Sequence, residues 1–118
     1  MLLVEDEAAL AEVVTELLTD HGHTVDHAAD APQAIAAAAA APYDLILLDW
    51  TLPSATGGEL LERWRAQGLT ARVLALSGDE EVASRLGSAA DGFLTKPFSF
   101  SELLARVAAF AAELPRQG

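Results

Sequence analysis

Asp49 ends the apolar run "DLILLDW", so the chain carries a carboxylate straight out of its core. Glu5 and Asp6 follow the apolar "LLV", Ser77 follows "VLAL", and Lys96, the single lysine beside six arginines, stands in "FLTKPF". Brought together, Glu5, Asp6 and Asp49 repel one another unless a cation lies among them. An all-oxygen set of this density suits Mg2+, which keeps several waters and works beside phosphates. A carboxylate is also a nucleophile that takes up a phosphoryl group as an aspartyl-phosphate. Such a transfer needs a cation and a hydroxyl for the moving oxygens, and Asp49, Lys96 and Ser77 fit these roles by type. A compact ammonium follows an oxygen as a point charge, whereas a planar guanidinium favours fixed, forked pairing. Taken singly, each residue has an ordinary explanation: Asp49 as a helix cap, the acids Glu5–Glu7 as complements of a helix dipole, Ser77 before Gly78 as a turn.

These positions share one property, which is that each follows a candidate strand. Short apolar runs alternate with segments of helical period, the pattern of βα units around a parallel sheet. The runs are Leu2–Val4, His23–His27, Asp44–Leu48, Arg72–Leu76 and Gly92–Thr95, the third and fourth nearly continuous, as central strands covered on both faces require. Between them the periodicity predicts a helix over Glu7–His21 with Leu10, Val13, Val14, Leu17 and Leu18 on its buried face and Gly22 as its stop. A second helix starts from an Asp30 cap with Pro32 in its first turn, and a third over Gly57–Gln67 buries Leu60, Leu61 and Trp64. Asp79–Ala90 predicts a short or irregular helix with only Val82 and Leu86 as an apolar pair. The last helix opens on Ser99 and Glu102 in capping-box spacing and continues through Leu103, Val107, Phe110 or Ala111, and Leu114. In an open parallel sheet, ligands bind beyond the carboxyl ends of the strands. All the polar groups above fall at that edge.

Length and composition set the frame. The 118 residues make about one domain, 1–118, with "PRQG" at 115–118 as a frayed end or the start of a linker. With no cysteine, disulfide and thiolate chemistry is excluded. A formal charge of −11 disfavours nucleic-acid binding and suits cations or protein partners. No apolar run approaches a membrane span, and the early acids are unlike a signal sequence, so a cytoplasmic protein is expected.

The motifs "LLVEDE", "DLILLDWTLP", "LALSGDE" and "FLTKPF" in this order and spacing resemble the receiver domain of two-component response regulators over essentially the whole chain. The resemblance implies an α/β fold with a doubly wound five-stranded parallel sheet in the order 2-1-3-4-5. It implies that Asp49 accepts phosphoryl from a sensor histidine kinase or phosphotransfer protein. Mg2+, with Mn2+ as a substitute, is then held by Glu5, Asp6, Asp49 and the backbone carbonyl of Thr51. Further implications are Ser77 as a switch hydroxyl, Phe93 as the switch aromatic, a cis bond before Pro97, Gly57 as a structural glycine, and slow self-dephosphorylation. An output domain or partner would read the face made by 79–113.

Three departures from the family pattern stand out. Phe93 lacks the hydroxyl of the tyrosine common at that position. The stretch between Ser77 and Lys96 is short by roughly one helical turn. Gly92 and Glu113 stand where the dimer face of related transcription factors carries other charges, although Glu102 and Arg106 match it. A non-switching interaction module is the alternative that the first two of these departures motivate. An aspartate-nucleophile phosphatase of the haloacid dehalogenase type is a remoter one, because it needs a second Asp where this chain has Thr51.

Overall fold

A parallel strand covered on both sides must be apolar at successive positions, and β3 (Leu45–Asp49) meets that demand by being buried along its whole length. The structure is a computed structural model that describes residues 1–50, 57–78 and 90–113, the last three by backbone alone. Its other strands are β1 (Leu2–Val4), β2 (Asp26–Ala28), β4 (Arg72–Ser77) and β5 (Gly92–Thr95). They form one parallel sheet in the order β2-β1-β3-β4-β5.

Because successive strand residues point to opposite faces, the strands sort their side chains into two cores. Leu2, Val4, Ile46, Leu48, Val73 and Ala75 meet α2 (Ala31–Ala40) and α3 (Gly57–Ala66) through Ala31, Ala34, Leu60, Leu61 and Trp64. Leu3, Leu45, Leu47, Leu74, Leu76 and Leu94 meet α1 (Ala8–Asp20) and the C-terminal helix (Phe100–Glu113) through Ala11, Val14, Leu18, Leu103, Val107 and Phe110. A sheet clad on both faces leaves its strand ends as the place for a site.

Local chemistry sets the helix ends. Asp30 Oδ1 accepts from the Gln33 N–H at 2.9 Å, and Ser99 Oγ accepts from the Glu102 N–H at 3.1 Å, so both sequence-read caps form. Gly22 takes φ +89° just beyond α1, where a residue with a Cβ would be strained. Asp91 ties the amino-terminal ends of β4 and β5 together by accepting from the Val73 N–H at 2.8 Å and pairing with Arg65 at 3.0 Å and Arg72 at 3.5 Å.

Four expectations are corrected. The second strand is Asp26–Ala28, not His23–His27, because it pairs only with the three residues of β1, from Leu2 opposite Asp26 to Val4 opposite Ala28. Val13 is 41% exposed, and Ala11 takes its place in the buried stripe with Val14 and Leu18. Asp49 and Ser77 are the last residues of their strands, not the first after them, because the ladder continues through Asp49 opposite Leu76 and Ser77 opposite Thr95. Ala90, read as a helix end, is a buried residue in a bend just before β5. The remainder of the Asp79–Ala90 helix with Val82 and Leu86, and Thr51, Leu114 and the tail 115–118, lie outside the described residues.

Gly57 opens α3 hard against the end of β3. A Cβ there would lie 2.8 Å from the Asp49 carbonyl oxygen and from the Trp50 Cα. Both are backbone atoms and cannot swing away. Gly57→Ala is expected to lower stability by about 1–3 kcal/mol through overpacking. Urea unfolding checks this, and an unchanged midpoint would mean that α3 shifts freely.

Candidate functional site

Parallel pairing brings the ends of β1, β3, β4 and β5 to one edge of the sheet. Glu5 follows β1 with its N–H on the Ala28 carbonyl at 3.0 Å; Asp49 ends β3; Ser77 ends β4; Lys96 follows β5 with its N–H on the Ser77 carbonyl at 2.6 Å. Glu5, Asp49 and Ser77 are buried while Asp6 is exposed. One carboxylate oxygen from each of Glu5, Asp6 and Asp49 lies within 4.8 Å of the others. Lys96 Nζ sits 2.6 Å from Glu5 Oε1 and 3.6 Å from Asp49 Oδ2. The lysine therefore bridges two of the acids and lies nearer Glu5 than Asp49. The second Glu5 oxygen accepts from the Glu7 N–H at 3.3 Å, at the amino-terminal end of α1.

The electrostatics of the edge follow from these distances. The Asp6 carboxyl titrates below its ordinary value, chiefly through a hydrogen bond shared with Asp49, against the opposing effect of burial. Burial pulls the Lys96 ammonium downward, but the hydrogen bond to Glu5 and the charges of Asp49 and Glu5 outweigh it and hold it above the ordinary value. Two carboxyls hydrogen-bond only with a proton between them. When both are ionised, a cation must do the same work, and a single ammonium cannot balance three acids. The donor set is all oxygen and one member faces water, so it fits a hard divalent cation that retains part of its hydration.

Of the residues read from the sequence, Glu5, Asp6, Asp49 and Lys96 come together directly. Ser77 stands on the adjacent strand end. Phe93 is half-buried on β5 and packs against the core on the α2 and α3 side. The Lys96–Pro97 bond is cis. The sequence reading missed two contributors: the Glu7 backbone N–H and His27, whose Nε2 lies 2.8 Å from the Glu5 carbonyl oxygen. Periodicity carries no signal for either, because both act on backbone or across strands.

Beside Lys96 an apolar groove of about 320 Å³ is lined by Leu10, Pro97, Phe98 and Phe100 together with Glu7 and Lys96 itself. Phe100 is 46% exposed there. No described helix is long and apolar enough to cross a membrane.

Residues 1–108 match the family model described as the response regulator receiver domain. The transcriptional regulatory protein TcrA of Mycobacterium tuberculosis is 40% identical over 98% of this chain, which covers 47% of that protein. The chain thus spans about half the length of the curated relatives it matches. Among solved structures, a Francisella response-regulator receiver domain superposes with TM-score 0.89 at 29% identity, covering 95% of each chain. The Thermotoga maritima response regulator TrrA, in complex with Mg2+ and BeF, superposes with TM-score 0.85 at 29% identity over 92% of this chain and 96% of that one.

Proposed function

Since the chain belongs to the response-regulator receiver family of two-component systems, we propose that it is a phosphorylation switch with Asp49 as phosphoacceptor. The observation that carries this reading is the convergence of Glu5, Asp6 and Asp49 within 4.8 Å at an edge where Lys96 bridges two of them. An Asp49 carboxylate oxygen attacks the phosphorus of a phosphohistidine on a sensor kinase or phosphotransfer protein. The P–N bond breaks as the new P–O bond forms, and its electron pair leaves with the imidazole. Glu5, Asp6 and Asp49, with the Thr51 carbonyl implied by the family, would hold Mg2+, which supplies charge compensation for the transferring oxygens.

Lys96, 3.6 Å from Asp49 Oδ2, then pairs with one phosphoryl oxygen, and the buried Ser77 hydroxyl donates to another, a reading their nearness to Asp49 and their burial support. When Ser77 turns toward the phosphoryl group, Phe93 follows by packing alone, since its ring carries no hydroxyl. The groove that Lys96 helps to line offers the phosphodonor protein an apolar footing. Output passes through the 79–113 face to a domain or partner, in keeping with relatives that are transcriptional regulators about twice this length. The whole cycle belongs to the cytoplasm, where kinase phosphohistidine is made, and residues 1–118 act as one receiver unit.

Incubation with acetyl phosphate tests this reading. Acid-labile labelling is expected with Mg2+ and is expected to vanish with excess EDTA. Labelling indifferent to the metal would overturn the metal assignment, and no labelling from acetyl phosphate or any histidine-kinase donor would overturn the switch.

A further inference from the structure

The Glu5 backbone is held at both ends by the edge strand β2. Its N–H donates to the Ala28 carbonyl at 3.0 Å, as a continued parallel ladder requires. The ladder cannot supply the next bond, because the chain beyond Ala28 turns away to start α2. The donor a continued ladder would use is the Asp30 N–H, but Asp30 stands at the N-cap of α2, with its Oδ1 on the Gln33 N–H at 2.9 Å. The ring of His27 takes the vacated role, with Nε2 at 2.8 Å from the Glu5 carbonyl oxygen. A carbonyl only accepts, so Nε2 carries a proton. Register explains the reach: His27 stands opposite Leu3, and side chains two residues apart share a face, which brings the ring alongside Glu5.

That carbonyl belongs to the same rigid peptide plane as the Asp6 N–H. We propose that His27 is a positioning residue for the acidic cluster, its Nε2–H fixing the Glu5–Asp6 peptide so that both carboxylates face Asp49. The inference rests on the cation-binding part of the function proposed above. Hydrogen-bonded partners that orient metal ligands commonly set affinity by tenfold or more, and His27 acts on two of the three acids through one bond. It touches neither the phosphoryl group nor the cation.

Calorimetric titration of the unsubstituted chain, His27→Ala and His27→Gln with Mg2+ alone tests this, with thermal melts recorded free of metal. His27→Ala is expected to weaken Mg2+ binding by about tenfold. His27→Gln, whose amide N–H reaches the same carbonyl, is expected to recover most of the loss. Unaltered affinity in His27→Ala, or a glutamine variant no better than alanine, overturns the inference and leaves the metal site standing. Absence of Mg2+ binding by the unsubstituted chain overturns the site reading itself and the inference with it. Imidazole NMR of the unsubstituted chain gives an answer even where a variant fails to fold: a proton on Nε2 is expected, and a ring protonated at Nδ1 alone overturns the inference.

Discussion

Asp49→Asn is expected to reduce acid-labile phosphate incorporation from acetyl phosphate to background, in the presence of Mg2+ and with the fold intact. The amide is nearly isosteric with the carboxylate and fits the same buried strand end. It is a far poorer nucleophile, however, and cannot form the acyl phosphate. The substitution also removes one of three negative charges crowded within 4.8 Å. The metal-free variant is therefore expected to be at least as stable as the parent, which separates loss of chemistry from loss of fold. Acid-quenched labelling beside urea unfolding checks both parts. Persistent labelling would move the phosphoacceptor elsewhere, with the exposed Asp6 as the first place to look.

Lys96→Met is expected to cost stability as well as chemistry. Glu5 is almost fully buried, and its Oε1 takes a 2.6 Å contact from the ammonium, so methionine leaves a buried carboxylate short of its cation. Breaking one side of a buried pair costs about 3–5 kcal/mol; with the Lys96 side chain 24% exposed, about 2–4 kcal/mol is expected here. Mg2+ is expected to return part of this, because it supplies positive charge to the same acids. The sign of the pH dependence follows from the raised Lys96 pKa. Its stabilising contribution is fully present below the ordinary lysine value of 10.5 and is lost as pH rises through the higher folded-state value. The stability gap between parent and Lys96→Met is thus expected to hold from neutral pH up to the ordinary lysine value of 10.5 and to shrink only above it. Urea unfolding at several pH values, with and without Mg2+, measures it; a gap that disappears near neutral pH would show that Glu5 is neutralised by some other group.

Much of this was readable from residue order. The run "LILL" has the continuous apolar pattern expected of a doubly covered strand, and a polar residue closing such a run emerges at the sheet edge, which is why Asp49, Ser77 and Lys96 could be gathered from residue order. The caps at Asp30 and Ser99 are local interactions, and local interactions are written in adjacent residues. What stayed hidden depends on how distant segments meet. Val13 has the composition of a core residue but lies outside the stripe that α1 turns inward. The choice of Glu5 as the nearer partner of Lys96 joins positions 91 residues apart. Asp91 gathers Arg65 from α3 and Arg72 and the Val73 N–H from β4, two segments separate from its own. His27 read as strand because its alternation with neighbours was all that sequence could report, while its ring works on a backbone atom of another strand.

The central claim is that Mg2+ and a phosphoryl group meet at Asp49 and move the structure around it. Trp50 adjoins Asp49, is 5% exposed, and its Nε1 has no hydrogen-bond partner among the described residues, so its emission should respond to charge placed beside it. Trp64 is the second tryptophan and is also buried, so Trp64→Phe removes the background. In that variant a saturable change in Trp50 emission is expected on adding Mg2+. A further change is expected on adding beryllofluoride, a mimic of the phosphoryl group, only when Mg2+ is present. A response to Mg2+ with none to beryllofluoride would indicate a metal-binding module that does not switch, and emission indifferent to both would contradict the account.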